Sequence, residues 1–386
     1  MSASRRRRRA ETLRFRRSKH LVAYWDGPVL RVRNYATGRH ARIQGDACAV
    51  LDQYDSWKTA EEASQGLSTA RPAEVLEVSE RLSEQGFLLR SDQMPIAAEE
   101  AMDRFDAWNP AVGLFHSATR DVRFGSLGAG QTVQRRAAAN DPWAGKSFVP
   151  PGVAIPLPQP QPDSAVERVF LRRRSWRRFA SRPLGLPELS SLLWLTGGIP
   201  QWACTELGAF ALKTSPSGGA LHPIELYVLA RNVSGLRGGV YHYAGSEHVL
   251  RLMTRHTRRV RIEQYLPEQP WFEGAAVVLF LVAHYDRSLW RYRYPRAYRA
   301  PYIEAGHLAQ TFCVRATEIG LAPFVSMALA DTAIEQEIGA DGVTRSVLYA
   351  TGVGVRPKGL RWAPLPEGEG SLSIRRNPIL RHRRAP

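Results

Sequence analysis

The sequence predicts an α+β fold for its second half, a sheet with one dominant buried helix. Strand-like stretches at residues 226–230, 240–243, 249–252, 275–283 and 347–351 alternate with helical segments. Between the last two strands, Ala305, Leu308, Ala309, Phe312, Ala316 and Ile319 recur on one helical face, and Gly320 supplies a C-terminal stop. Shorter helices are expected at 165–173 and at 186–194, the latter with Pro187 in its first turn.

The first part of the chain reads differently. Leu30, Val32 and Ile43 lie in strand-like stretches around a turn-rich loop at 34–38, which predicts a β-hairpin. Ala47, Val50, Leu51 and Tyr54 follow at helical spacing. Thr59 with Glu62 forms a capping box for a second short helix. Val75, Val78 and Leu82 trace a third, which should stop at Gly86 before an apolar strand at 87–89. Residues 93–164 hold a helical piece near 97–105 and then a proline-rich stretch, read as a partly ordered linker.

An apolar share of 44% over 386 residues is enough to bury a core in each of these parts. The formal charge of +17 would suit nucleic acid or an anionic cofactor, but much of the excess sits at the two ends. Residues 1–19 are read as a basic disordered arm and 363–386 as a basic tail. Three scattered cysteines indicate neither disulfides nor a metal cluster, and no histidine pair shows metal-ligand spacing, so no metal is expected. The longest apolar run, 275–283, is too short to span a bilayer, and no apolar stretch follows the N-terminal arginines. A cytoplasmic protein without a membrane segment is expected.

Three segments could carry chemistry. Arg173, Arg174, Ser175, Arg177 and Arg178 place several permanent positive charges and a hydroxyl within two helical turns, a plausible phosphate site or a solvated helix end. Pro216, Ser217, Gly218 and Gly219 precede a strand, where paired glycines let backbone approach a flat ring closely or form a tight turn. Tyr292, Arg293 and Tyr294 open an aromatic, basic loop that runs into the long helix.

In this order the phrases RRSWRRF, LSSLLWLTGG, SPSGGALHPIELYVL, YRYPRAYRAPYIEAGHLAQTFCVRATEIGLAP and ATGVGVRP resemble the nitroreductase superfamily, most closely its SagB-type or azoline dehydrogenase branch. The resemblance implies an FMN-binding nitroreductase fold over residues 165–362. Arg173, Arg174, Ser175 and Arg177 would hold the phosphate and ring edge, and Pro216, Ser217, Gly218 and Gly219 would line the opposite side. Gln310 would lie near the ribityl chain, the backbone of Pro323, Phe324, Val325 and Ser326 near the reactive ring, and Arg356 back at the phosphate. It also implies a homodimer and hydride transfer from substrate to FMN and then to oxygen. Azoline dehydrogenases carry a Lys-Tyr pair for the proton step. Here Arg293 and Tyr294 stand in its place, and an arginine that stays protonated can orient but not act as base, so Tyr294 is left as acid or base.

Residues 20–92, with Asp26, Gly27, Thr59, Glu62, Leu82 and Gly86, resemble a PqqD-like winged-helix domain. That resemblance implies recognition of a precursor peptide's leader by strand addition, and places a partner enzyme of the same pathway within expectation. Two other readings stay open. One is an NAD(P)H-dependent flavin reductase of a nitro, quinone or dehydroamino-acid substrate. The other is a non-catalytic peptide- or DNA-binding protein, against which the flavin phrases weigh, so nucleic acid is not the expected partner.

Overall fold

The computed structural model describes residues 12–121 and 163–359, except 44, 69, 207, 257 and 259, together with 153, 155–158 and 160. The outer part of the basic arm, most of the proline-rich linker and the basic tail lie outside the described residues. The chain divides into two compact units, and the division does not follow the sequence. Unit one holds Met1–Arg120 with Tyr285–Arg299, and unit two holds Asp121–His284 with Ala300–Pro386. Among the described residues no helix is long and apolar enough to cross a membrane.

In unit one, strand β1 (Arg14–Arg17) lies between β5 (Lys58–Thr59) and β6 (Leu88–Arg90) in an antiparallel sheet. The basic arm was expected to be disordered as far as residue 19. Instead Phe15 alternates inward between exposed Arg14 and Arg16 and is fully buried, so the period-2 pattern of a half-buried strand overrides the charge run. A second sheet, β2 (Leu21–Asp26), β3 (Val29–Asn34) and β4 (His40–Arg42), is a meander. Helices α1 (Gly45–Asp52), α2 (Ala60–Ser64) and α3 (Pro72–Glu84) complete the predicted hairpin, three helices and closing strand. The Thr59 hydroxyl accepts the Glu62 amide at 3.1 Å and the Glu62 carboxylate accepts the Thr59 amide at 2.7 Å, the expected capping box. Phe15, Tyr54, Val75, Leu82 and Phe87 form the core.

The linker contributes α4 (Ala97–Met102) and α5 (Pro110–Ala118) to this unit. Between them Phe105 and Trp108 meet residues far downstream. Trp108 donates its indole N–H to the Tyr292 carbonyl at 2.8 Å, and His116 Nδ1 lies 2.9 Å from the Tyr298 hydroxyl. Tyr285 and Tyr298 stack with centroids 5.2 Å apart, and the rings of Phe105 and Trp108 meet them edge-on. A buried aromatic box therefore fastens the segment after β12 to unit one.

Unit two is built on an antiparallel sheet in the order β11-β10-β9-β12-β14-β13, comprising β9 (Ile224–Ala230), β10 (Gly239–Ala244), β11 (Val249–Arg255), β12 (Val277–His284), β13 (Ala322–Ser326) and β14 (Arg345–Gly354). β12 is buried along all but its last residue, which explains its unbroken apolar run. Helices α6 (Ala165–Arg172) and α7 (Leu186–Gly197) precede the sheet, and the long helix α8 (Ala300–Glu318) packs its Leu308, Ala309, Phe312, Cys313 and Ala316 face inward. Gly320 takes φ +77° at its stop. In this unit the hairpin of β7 (Gln201–Thr205) and β8 (Gly208–Leu212), strand β13 and helix α9 (Asp331–Ile338) go beyond the sequence reading. Edge strand β13 carries Pro323, a residue that an interior strand would exclude.

Candidate functional site

The arginine segment leaves its helix close to the expected end at residue 173. Helix α6 ends at Arg172, and Arg173 has ψ 127°, so the chain runs on extended. It follows the outer edge of β13, where the Trp176 amide donates to the Pro323 carbonyl at 2.8 Å. Trp176 is buried, and the Arg356 guanidinium lies 4.9 Å from its ring centroid. Arg356 donates from Nη2 to the Leu321 carbonyl at 3.1 Å, while its buried Nε has no acceptor. Burial lowers the pKa of Arg177 and of Arg356, and the charge of Arg172 lowers that of Arg356 further. Among the described residues no carboxylate pairs with Arg356. An uncompensated guanidinium pushed toward a like charge is satisfied by an anion, and phosphate suits its fork geometry.

Several expected contacts take other work. Arg174 turns back toward its helix end, Nη1 donating to the Leu171 and Arg173 carbonyls at 2.9 and 2.7 Å. The Phe324 ring stacks on Phe272 in the core, centroids 3.8 Å apart, leaving only its backbone for a ligand. The Ser326 hydroxyl donates to Gln269 Oε1 at 2.7 Å and accepts the Ala328 amide at 3.2 Å. Val325, Arg173 and Ser175 are half-buried at the same sheet edge. Beneath them the Cys313 thiol is pushed up to about 11 by burial, against the opposing pull of Thr351 and the Arg173 charge.

The glycine turn rests on α8. Thr311 donates to the His307 carbonyl at 3.0 Å, so its single hydroxyl proton is committed and Ser215, 2.9 Å away, donates to it. Glu304 Oε1 accepts both the Ser217 hydroxyl and the Gly218 amide, each at 3.0 Å. The Ser217 oxygen in turn accepts the His222 amide at 2.9 Å. Gly219, Ala220 and His222 take φ of 66°, 53° and 45°, with Leu221 between the last two right-handed, and of the three only the glycine is free of strain. Gln310 is exposed on the same helix. Glu304 went unnoticed in the sequence, although an acid beside Ala305 and Leu308 on an apolar helix face is the signal that marks it.

Arg293 and Tyr294 fall in unit one, whereas every expected flavin residue falls in unit two. Both are exposed, with the Tyr294 carbonyl accepting the Ala297 amide at 3.0 Å and its ring 5.8 Å from Tyr292. The sequence also gave no hint of a His20, Asp103 and Asp106 group whose ligand atoms lie within 4.8 Å of one another in unit one. Lys19 pairs with both carboxylates, at 3.0 and 2.6 Å, and neutralises them in part.

The basic sheet edge and the glycine turn carried on the long helix α8 belong to the same α+β unit. Residues 171–355 match the Nitroreductase family, and the chain belongs to that family, an oxidoreductase family whose members bind flavin. The nitroreductase-family protein MJ1384 of Methanocaldococcus jannaschii is 36% identical over 157 residues, spanning 40% of this chain and 75% of that one. The trifolitoxin-processing protein TfxB of Rhizobium leguminosarum bv. trifolii is 30% identical over 156 residues, 37% of this chain and 39% of that one. A chain of the E. coli microcin synthetase McbBCD complex with truncated pro-MccB17 bound aligns over 69% of this chain and 99% of its own, at 19% identity and a TM-score of 0.45.

Proposed function

We propose that the protein is an FMN-dependent oxidase that removes two electrons from a ribosomally made peptide, as in the conversion of an azoline to an azole. The observation that carries the cofactor assignment is the half-buried Arg356 with its buried, unsatisfied Nε beside Trp176 and the β13 edge. Arg356, Arg177 and Arg173 would hold the phosphate, and residues 217–219 with the backbone of 323–326 would flank the ring. Bound FMN would supply hydride acceptance from the substrate and electron delivery to oxygen. The chain's own contribution is to seat the substrate, exclude water and move a proton, with Tyr294 as acid or base and Arg293 fixing developing negative charge. Similarity to the trifolitoxin-processing protein supports a peptide substrate. So does unit one, where edge strand β2 carries exposed Tyr24 and Trp25, a ledge suited to an added peptide strand.

The purified protein should be yellow and release FMN on denaturation. A protein that stays colourless after incubation with FMN would end this reading. Tyr294→Phe should bind FMN as tightly as wild type while substrate-driven bleaching of the flavin slows by about 100-fold or more, measured by anaerobic stopped flow. An unchanged rate would remove Tyr294 from the proton step. The identity to MJ1384 favours a second reading, in which NAD(P)H reduces the flavin and a nitro or quinone compound reoxidises it. Rapid bleaching by NAD(P)H with none by peptide would select it.

A further inference from the structure

We infer that Glu304 is a positioning residue that locks the 217–219 turn in its ligand-receiving shape by gathering the Ser217 hydroxyl and the Gly218 amide on one carboxylate oxygen. The inference rests on the flavin reading of that turn. Glu304 is 6% exposed and is the one acid in the buried face of α8. Burial alone disfavours such a charge, and it is retained only where donors compensate it. Here both donors come from the turn, at 3.0 Å each.

The turn needs such a hold. Gly219, Ala220 and His222 all have positive φ, and a backbone of this kind persists only when its surroundings over-determine it. The contacts continue outward: Ser217 accepts the His222 amide, and His222 Nε2 lies 2.8 Å from the Ala211 carbonyl of β8. Glu304 thus ties α8, the turn and the β7–β8 hairpin together. Its carboxyl is raised by burial, opposed by the Gly218 and Ser217 donors and by the nearby charges of His307 and Lys213. The sign matters. A carboxyl raised in the folded state favours folding below its ordinary range, and that contribution is lost as pH rises through the raised value. Ionisation of Glu304 above its raised pKa therefore costs the fold, which a residue kept for stability alone would not do.

Glu304→Gln keeps an oxygen acceptor for both donors, whereas Glu304→Ala removes it. FMN titrations followed by flavin fluorescence should show about 10- to 100-fold weaker binding for the alanine variant and a change within about 3-fold for glutamine, as expected for two hydrogen bonds lost in the first and kept by a neutral acceptor in the second. Without flavin, hydrogen exchange over residues 215–222 should quicken in the alanine variant only. At pH 8 the glutamine variant should melt no lower than wild type. Wild-type affinity and protection in the alanine variant, or equal damage in both, would overturn the assignment. If alanine prevents folding, Ser217→Ala, which deletes one of the two bonds, should still quicken exchange and weaken FMN by several-fold, and no change there would overturn it equally. Failure of the wild-type protein to bind FMN would instead overturn the flavin reading, and the exchange comparison would still report whether Glu304 holds the turn.

Discussion

Arg356→Met should weaken FMN binding by about 100-fold or more while leaving riboflavin affinity nearly unchanged. The methionine stem can still cover Trp176, so the loss falls on charge and hydrogen bonding rather than packing. A half-buried guanidinium that meets a phosphate dianion in fork geometry ranks among the stronger polar contacts, and removing one partner leaves the other partly desolvated and unpaired. Lysine should recover part of the affinity, because it restores a point charge without the fork or the stack. Comparing FMN with riboflavin by fluorescence titration isolates the phosphate contribution. An equal loss for both ligands would move the phosphate away from Arg356.

The second large effect concerns stability. Phe324→Ala should lower the free energy of unfolding by about 3–5 kcal/mol, since the ring is fully buried, stacked on Phe272 and tilted against Phe179. For a domain of this size that corresponds to a fall in Tm of roughly 6–20 °C by calorimetry. The site cannot relax easily. A Cβ at Gly352 would overlap the Phe324 ring, so strand β14 has been kept bare to admit it. A loss of FMN affinity with no loss of stability would mean that the ring serves the ligand and not the core.

Periodicity made the sheet strands and α8 legible, because a buried face repeats over several turns or residues and leaves a mark in the sequence. The capping box at Thr59 and Glu62 was legible for the same local reason. β13 was not, because five residues interrupted by a proline carry too little pattern, although the resemblance had already singled out 323–326 as a ligand edge. The arginine cluster was recognised as a group but not sorted. Which guanidinium turns back on the helix end and which lies half-buried along the sheet edge depends on where the chain leaves α6, and the extended path past Trp176 is set by a hydrogen bond to a strand almost 150 residues away. An acid on an apolar helix face marks Glu304 as unusual, but its role lies in donors more than 80 residues earlier, the Ser217 hydroxyl and the Gly218 amide. The greatest surprise was residues 285–299. By position they continue the sheet domain, yet Tyr285 and Tyr298 are buried against Phe105, Trp108 and His116, a pairing that no local pattern encodes.

That pairing orders events during synthesis. Unit one cannot close its aromatic box until residue 298 has left the ribosome, although its other components end near residue 120. At ordinary elongation rates the gap lasts on the order of 10–30 s, during which Phe105 and Trp108 have no permanent cover. Any fragment cut at the apparent linker inherits that condition for good. Residues 1–120 expressed alone should therefore show faster hydrogen exchange in α5 and a greater tendency to aggregate than the same residues in the full chain, and supplying the 285–299 peptide in trans should reverse both. Loss of substrate processing after an N-terminal truncation would likewise report more than a missing recognition surface, because the segment bearing Arg293 and Tyr294 would have lost the wall against which it folds.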